Sequence, residues 1–235
     1  DYVFPRSAAA VLADHLGLVG AELAGEKYVP LGSMDVEEMV DASLESNADV
    51  LVNLINGDSN RAFFTALDHR GTDATSLPVL SFSIAEEEAR SIGPELLAGH
   101  FAAWSYFQSV PGDENTAFIA AYRDRYGSDR VTDDPIEAGY FGVHLWAKAV
   151  ESIGTVESAS VRARMRGLQY SAPGGPVQVD AKNLHVWKYC RIGRFQENGQ
   201  FEIVWQSPFP IAPMPFPRTR KNTDWEIFLN DLRLE

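Results

Sequence analysis

The feature that most constrains this chain is the alternation of short apolar runs with amphipathic segments over its first hundred residues. The apolar runs have the length and composition of buried strands. Between them, apolar residues recur three and four positions apart, as on one face of a helix. This alternation predicts an α/β fold with a parallel sheet and right-handed crossovers. The predicted strands are residues 23–29, 50–55, 79–82 and 99–104, and the predicted helices are residues 7–16, 36–44 and 61–67.

After Trp104 three helical patterns follow one another at residues 115–126, 135–152 and 158–166. The middle helix has clear end signals. Asp134 is the expected N-cap, Pro135 suits the first helical position, and Gly154 lies just past the last turn. His144 lies on this helix, where we interpret it as a histidine at the edge of the core rather than a ligand.

The last third of the chain changes to β patterns at residues 177–179, 185–195 and 201–205. Asn198-Gly199 between two alternating segments predicts a tight hairpin. Five prolines between residues 207 and 217 predict an extended strap that continues to about Asp224.

Charge excludes nucleic acid as a partner. The 235 residues carry a net charge of −13, which repels a phosphate backbone. Residues 1–103 hold 5 Lys and Arg against 17 Asp and Glu, so the acidity belongs to one half of the chain. We interpret it mainly as a solvated acidic surface, with a neutral or cationic small ligand as the alternative.

The residues give no support for catalysis or for a cofactor. The five histidines are scattered, and Cys190 is the single cysteine, so no metal site is predicted. We expect the Cys190 thiol to be a small buried group. The chain has neither a dinucleotide-binding glycine motif nor a phosphate loop. Ser59 lies where a nucleophile elbow would, but Arg61 replaces the second glycine of that motif. We therefore predict no metal, no cofactor, no catalytic residue and no enzyme activity.

Position in the fold supplies the candidate site. In open α/β sheets, ligands bind beyond the carboxyl ends of the strands. The loops expected there are residues 1–3, 56–59 and 81–86, which carry hydroxyls, an amide and carboxylates suited to a small polar molecule. Helix capping is an equally good interpretation for Asp58, Ser59 and Ser83. The run of three glutamates from Glu86 could hold an acid or base, but for Glu87 and Glu88 we favour an offset of the helix dipole.

At these loops the chain resembles the type I periplasmic binding proteins of the branched-chain amino acid transporter class. Within that class it is similar to the branch that binds urea and short-chain amides. The resemblance rests on ordered strings that cover nearly the whole chain: DYVFPR at 1–6, KYVPLG at 27–32, NGDSN at 56–60, SFSIAEEE at 81–88, RVTDDPIEA at 130–138, APGGPV at 172–177 and FEIVWQSP at 201–208.

The resemblance implies a Rossmann-like parallel sheet flanked by helices, a C-terminal β-hairpin and two lobes, the first of them incomplete here. Residues 1–103 would belong to the second lobe. Residues 104–175 would be helices that return to the first lobe, and residues 176–235 would be the hairpin and proline-rich strap on the second. Roughly the first third to two-fifths of the longer family pattern would be absent.

The same resemblance implies ligand-binding residues. Tyr2 matches a tyrosine that contacts the bound amide or amino acid, and Ser83 matches a hydroxyl residue on the opposing loop. Asn56 and Asp58 lie in a loop that flanks the ligand, and Glu86 follows Ser83. Urea offers four N–H donors and one carbonyl, so carboxylates and hydroxyls suit it.

The function implied is that of the solute receptor of an ABC importer for urea or short-chain amides. Its partners would be the small polar ligand, a membrane permease and a second copy in a homodimer, and its location would be periplasmic or extracytoplasmic. The alternative is a cytoplasmic amide-sensing regulator of the same fold. Binding of branched-chain amino acids is less favoured.

Overall fold

A computed structural model describes residues 1–232, in which strands and helices alternate first and group together later. The strands are β1 (Leu51–Asn53), β2 (Val79–Ser81), β3 (Phe101–Trp104), β4 (Gln169–Ala172), β5 (Gly175–Val179), β6 (Val186–Trp187), β7 (Arg191–Phe195) and β8 (Phe201–Gln206). The helices are α1 (Val3–Val19), α2 (Glu37–Glu45), α3 (Ser59–His69), α4 (Glu86–Ile92), α5 (Pro94–Leu97), α6 (Asp113–Tyr126), α7 (Asp134–Ile153), α8 (Ser158–Met165) and α9 (Asn222–Asp231).

The larger sheet has the strand order β1-β2-β3-β7-β8. Its first three strands are parallel, whereas β7 runs antiparallel to both β3 and β8. Apolar side chains of α2, α3 and α4 cover it, among them Val40, Phe64 and Ala89. This arrangement confirms the predicted α/β class and three of the four strands that alternation predicts.

The remaining prediction, a strand at residues 23–29, is wrong. The segment has no regular structure and belongs to neither sheet, and most of its residues are exposed. An apolar run becomes a strand only where a neighbour satisfies its backbone, and none of the described strands pairs with this one.

Helices α6, α7 and α8 lie with the smaller antiparallel sheet β4-β5-β6. Their shared core includes Phe141, Leu145 and Val177. The N-cap of α7 is Asp133, whose carboxylate accepts the Ile136 N–H at 2.9 Å. The prediction that Asp134 is the cap is therefore wrong by one residue, because either of two consecutive aspartates fits the pattern. Gly154 ends α7 in the left-handed conformation, as predicted.

The C-terminal region contains the predicted hairpin, with Gly199 at φ 75° in the turn between β7 and β8. Residues 185–195, predicted as one strand, are divided into β6 and β7, which belong to different sheets. The intervening Lys188 pairs instead with the strap, through a bridge to Ile211. The proline-rich segment contains no helix but includes bends and a turn, and α9 begins at Asn222, two residues before the predicted end of the strap.

The strap carries Arg220 to the first helix, where its guanidinium makes two hydrogen bonds of 2.8 Å to the carboxylate of Asp14. The same guanidinium lies 4.5 Å from the ring centre of Trp225. This contact joins residues that are 206 positions apart.

Buried polar side chains join the two sheets. Arg191 donates to the carbonyls of Ser105 and, at 2.7 Å, Gly174. Lys188 forms 3.0 Å ion pairs with Asp134 and with the buried Glu137. The Arg191 and Lys188 side chains therefore hold the segments that connect the two sheets in place. None of the helices within residues 1–232 combines the length and apolar content needed to cross a membrane.

Candidate functional site

Three of the predicted site residues meet at the carboxyl ends of β1 and β2. The side-chain amide of Asn56 donates to the Tyr2 hydroxyl, and the Ser83 hydroxyl donates to the carbonyl of Ile55. Tyr2 is exposed, while Asn56 and Ser83 are partly exposed. Because β1 and β2 are parallel neighbours, the loops that follow them emerge at one edge of the sheet. The structure thus brings Tyr2, Asn56 and Ser83 into one polar patch.

A buried network of amides fixes the loop that carries Asn56. The side-chain nitrogen of Asn53 donates to Asn60 Oδ1 at 2.9 Å and to the hydroxyl of Ser81 at 3.1 Å. Asn53 Oδ1 accepts the Ile55 N–H at 2.9 Å, and Asn60 donates to the Ile55 carbonyl at 2.8 Å. Sequence reasoning missed Asn53 and Asn60. An amide at the end of a buried strand was the available signal, since a buried amide needs partners.

Asp58 holds the N-cap position of α3, but its carboxylate makes no capping hydrogen bond. The residue is exposed at the same loop as Asn56. Ser59 is the first helical residue, and its buried hydroxyl has no partner among the described residues. Side-chain capping, one of the two interpretations given to Asp58 and Ser59, is therefore not seen for either residue. The Asp58 carboxylate is free to accept hydrogen bonds from a ligand.

Glu86 lies apart from this patch. Its side chain is fully buried, and Oε1 accepts the backbone N–H of Gln108 at 2.6 Å. Oε2 has no partner within residues 1–232. Burial raises the pKa of Glu86 to about 8, against the effect of the Gln108 N–H. In this conformation Glu86 reaches no solvent, so it does not share the open surface of Tyr2 and Asn56.

Glu87 and Glu88, which follow Glu86, lie in the first turn of α4, as the helix-dipole interpretation requires. Glu88 accepts the Ala85 N–H at 3.0 Å, and Glu87 pairs with Arg90 at 3.3 Å. The capping interpretation of Ser83 is wrong, because Ala85 occupies the N-cap of α4 and the Ser83 hydroxyl donates to the Ile55 carbonyl.

Trp104 supports the same loop from the next strand. Its indole N–H donates to the Ile84 carbonyl at 2.8 Å, which ties the carboxyl end of β3 to the loop of Ser83. The sequence analysis used Trp104 only as the end of a strand. Its position at the end of β3, next to the strand that precedes the Ser83 loop, could have predicted this hydrogen bond.

Two groups singled out by the sequence lie outside the patch. The Cys190 thiol is partly buried, and burial raises its pKa, so the neutral thiol is favoured. The His144 ring stacks on Tyr170 with the ring centres 5.1 Å apart. No group of three or more metal-binding side chains occurs among the residues that the structure describes.

Comparison with known proteins decides the family. The profile of the periplasmic binding protein domain family matches residues 1–222. The chain belongs to this family. Solved structures of periplasmic binding proteins share its fold, including an amino acid ABC transporter substrate-binding protein from Pseudomonas fluorescens Pf-5. That structure has a TM-score of 0.79 and 20% identity, with 93% of this chain and 58% of that chain covered.

A second solved structure is a solute-binding protein of an ABC transporter from Rhodopseudomonas palustris BisB5 in complex with 3,4-dihydroxybenzoic acid. Its TM-score is 0.77 at 21% identity, covering 88% of this chain and 58% of that one. Both structures are described as substrate- or solute-binding proteins of ABC transporters.

Among curated relatives, a Leu/Ile/Val-binding protein homolog 6 from Brucella melitensis is 23% identical over 171 residues, which are 71% of this chain and 44% of that protein. A protein named limonene hydroxylase from Geobacillus stearothermophilus is 30% identical over 124 residues, which are 53% of this chain and 23% of that protein. The chain thus spans less than half the length of either curated relative.

Proposed function

We propose that this chain forms one side of the ligand site in the receptor subunit of an ABC importer, and that the ligand is urea or a short-chain amide. The observation that carries the proposal is the convergence of Tyr2, Asn56 and Ser83 at one sheet edge, with the Asp58 carboxylate exposed beside them. Membership of the periplasmic binding protein family and the ABC transporter receptors among its structural neighbours support the role.

The chemistry of the patch favours a neutral ligand rich in N–H groups. The Asp58 carboxylate and the hydroxyl oxygens of Tyr2 and Ser83 accept hydrogen bonds, and the Asn56 amide donates one to the ligand carbonyl. Arg6 is the cation nearest in sequence to Tyr2, and it is already paired with Asp1 at 2.7 Å. An amino acid or an aromatic acid would bring its carboxylate toward the like charge of Asp58, which disfavours binding.

The mechanism we propose is closure of two lobes around the ligand, selected by its tighter contacts in the closed state. Residues 1–103 with the β7–β8 hairpin and the strap would form the second lobe. The helices of residues 104–175, with the strands β5 and β6 that share their core, would belong to the first, which moves the boundary implied by the resemblance from residue 176 to the segment between β6 and β7. The protein acts outside the cytoplasm with a membrane permease, and a homodimer is a further partner state. If the same fold serves as a cytoplasmic amide sensor, the ligand contacts remain the same and the partner differs.

Calorimetry tests the proposal. We expect the full product of the gene to bind urea or acetamide with saturable heat, and to bind leucine and 4-hydroxybenzoate more weakly. Tyr2→Ala and Ser83→Ala each weaken amide binding by about tenfold or more, which is about 1.4 kcal/mol, because each removes a hydroxyl from the patch.

Tyr126→Ala is the matched control, since Tyr126 is an exposed tyrosine at the end of α6, far along the chain from the patch. It should leave binding unchanged. Normal amide binding by both site variants would show that the site is elsewhere. Tight binding of leucine or 4-hydroxybenzoate alone would show that the ligand class is wrong.

A further inference from the structure

The smaller sheet has an open face on the side away from α7. Its opposite face carries Val177 and Val179 into the core that the sheet shares with α7 and α8. Because side chains alternate along a strand, the residue between these two valines points the other way. The register of the three strands places that residue, Gln178, beside Gln169 and Trp187. These three side chains form the floor of a groove on the open face.

The proline-rich strap forms the wall of this groove and contributes Phe209 and Pro210 to it. The strap is held there by the bridge between Ile211 and Lys188, which follows Trp187 in the chain. The groove has a volume of about 780 Å³, within the range of small-molecule sites. Phe209 is 75% exposed, although a phenylalanine ring is normally buried. Its ring is therefore available to a ligand that enters the groove.

The charge of the groove differs from that of the chain as a whole. The chain has a net charge of −13, yet the described residues that line the groove include no carboxylate and one charged side chain, that of Lys148. The Lys148 ammonium donates to the Gln169 carbonyl at 3.0 Å, which uses one of its three N–H groups. The groove therefore suits a ligand with one negatively charged group.

Two neutral donors on the floor of the groove are already in use. The Trp187 indole N–H donates to the Asp180 carboxylate at 3.0 Å. The Gln169 amide donates to Gln178 Oε1 at 3.2 Å. A proline-rich peptide or a sugar needs several such donors for its carbonyls or hydroxyls, so this floor suits neither well. The same hydrogen bonds hold the indole in place as a flat surface, which favours stacking with an aromatic ring.

We propose that this groove is a second binding site, and that its ligand is a small aromatic carboxylate. The ring stacks against the Trp187 indole and the Phe209 side chain, and the carboxylate accepts hydrogen bonds from the Lys148 ammonium. The groove shares no residue with the patch of Tyr2 and Asn56, so this site does not depend on what that patch binds.

Two-dimensional NMR of the chain tests the site, with 2-naphthoate as the probe and 2-naphthamide as its neutral counterpart. We expect 2-naphthoate to shift the indole N–H resonance of Trp187 until the site is saturated. Trp187→Phe identifies that resonance by its loss. The amide keeps the ring but not the charge, so it should bind about threefold to fivefold more weakly, as is typical when an exposed ion pair is lost.

Substitutions separate the two contacts of the ligand. Lys148→Met should weaken binding of 2-naphthoate to the level of 2-naphthamide and leave the amide unaffected, because it removes the charge and keeps an unbranched apolar chain. Phe209→Ala should weaken binding of both probes by about threefold or more, since both lose a ring contact. Lys221→Met is the matched control, an exposed lysine that does not line the groove, and it should change neither affinity.

Three results would overturn the proposal. The first is equal affinity for both probes, or no saturable shift at Trp187. The second is loss of 2-naphthoate binding in Tyr2→Ala but not in Phe209→Ala, which would place the acid at the candidate amide site. The third is tighter binding of a decaproline peptide than of 2-naphthoate at Trp187, which would identify a proline-rich segment as the occupant. Failure of amide binding in calorimetry would leave these results unchanged.

Discussion

Beyond β3, the larger sheet continues into the β7–β8 hairpin, where Phe195 and Phe201 are buried, whereas at the opposite edge of the sheet Val50 and Val52 are exposed. In the hairpin, Phe201 packs against Phe107 and Phe195 with ring centres 4.4 Å away in both cases. The hairpin finds its partner strand across a short turn, but a parallel strand needs a partner from elsewhere in the chain. A local turn therefore supplies the strand that pairs with β7, whereas β1 pairs with β2 alone among the described strands.

The largest expected effect separates the two sides. Phe201→Ala removes a buried ring and should lower the free energy of unfolding by about 3–5 kcal/mol, measured by urea denaturation. Val52→Ala at the open edge should change it by less than about 0.5 kcal/mol, as for other exposed positions. Equal losses in the two variants would contradict the contrast between the buried hairpin ring and the exposed valine.

A smaller effect is expected from adding a methyl group at Gly193 in the β7–β8 hairpin. A Cβ at Gly193 would lie 2.8 Å from the rings of Phe107 and Phe201, so these rings must move. Gly193→Ala should cost about 1–3 kcal/mol of unfolding free energy by overpacking. Gly139→Ala is the control, because nothing lies within 4 Å of its added Cβ and alanine favours the helix. A stable Gly193→Ala variant would show that the hairpin is loosely packed.

We expect the contact between the start of α4 and the β7–β8 turn to depend on pH. Glu86 at the start of α4 accepts the N–H of Gln108, and the Gln108 side chain donates to Gln200 of the hairpin turn at 2.8 Å. Burial, with the charges of Asp133 and Asp134, raises the pKa of Glu86 to about 8 in the folded protein. The folded chain then holds a proton that the unfolded chain has lost, so this group's contribution to stability falls as the pH rises from about 5 to about 8.

Glu86→Gln should remove that dependence, because the amide stays neutral. The difference in unfolding free energy between the native chain and this variant should change by about 1 kcal/mol per pH unit in that window, and level off above it. Urea denaturation at a series of pH values measures this difference. His100, whose pKa burial lowers to about 4, is present in both chains and cancels. Parallel curves for the two chains would mean that Glu86 is ionised when folded.

The sequence predicts elements whose partners lie close along the chain. The hairpin around Gly199, the end of α7 at Gly154 and the strands β1 to β3 follow from short patterns and are confirmed. The failed strand at residues 23–29 has the right composition but no neighbour, and composition does not encode a neighbour.

For the candidate site, the sequence placed Tyr2, Asn56 and Ser83 at adjacent loops by the rule for strand ends. It did not predict that Glu86 would be sealed against Gln108, which lies 22 residues farther along the chain. The hydrogen bonds by which Asn53 and Asn60 hold the loop of Asn56 could not be predicted either, since bonds between buried side chains depend on packing in three dimensions.

A pulling force applied at the two ends of the described chain acts first on the contacts that tie Asp1, Tyr2 and Arg6 to the rest of the chain, and then on the Asp14–Arg220 ion pair. The 206-residue separation encloses both sheets in a loop, which this pair shields from tension once those first contacts have broken. Asn56 and Ser83 lie inside the loop, whereas Tyr2 lies outside it, on the loaded tail. Tension therefore draws Tyr2 away from Asn56 while the sheet stays unloaded, so the candidate site would come apart mechanically before the fold does.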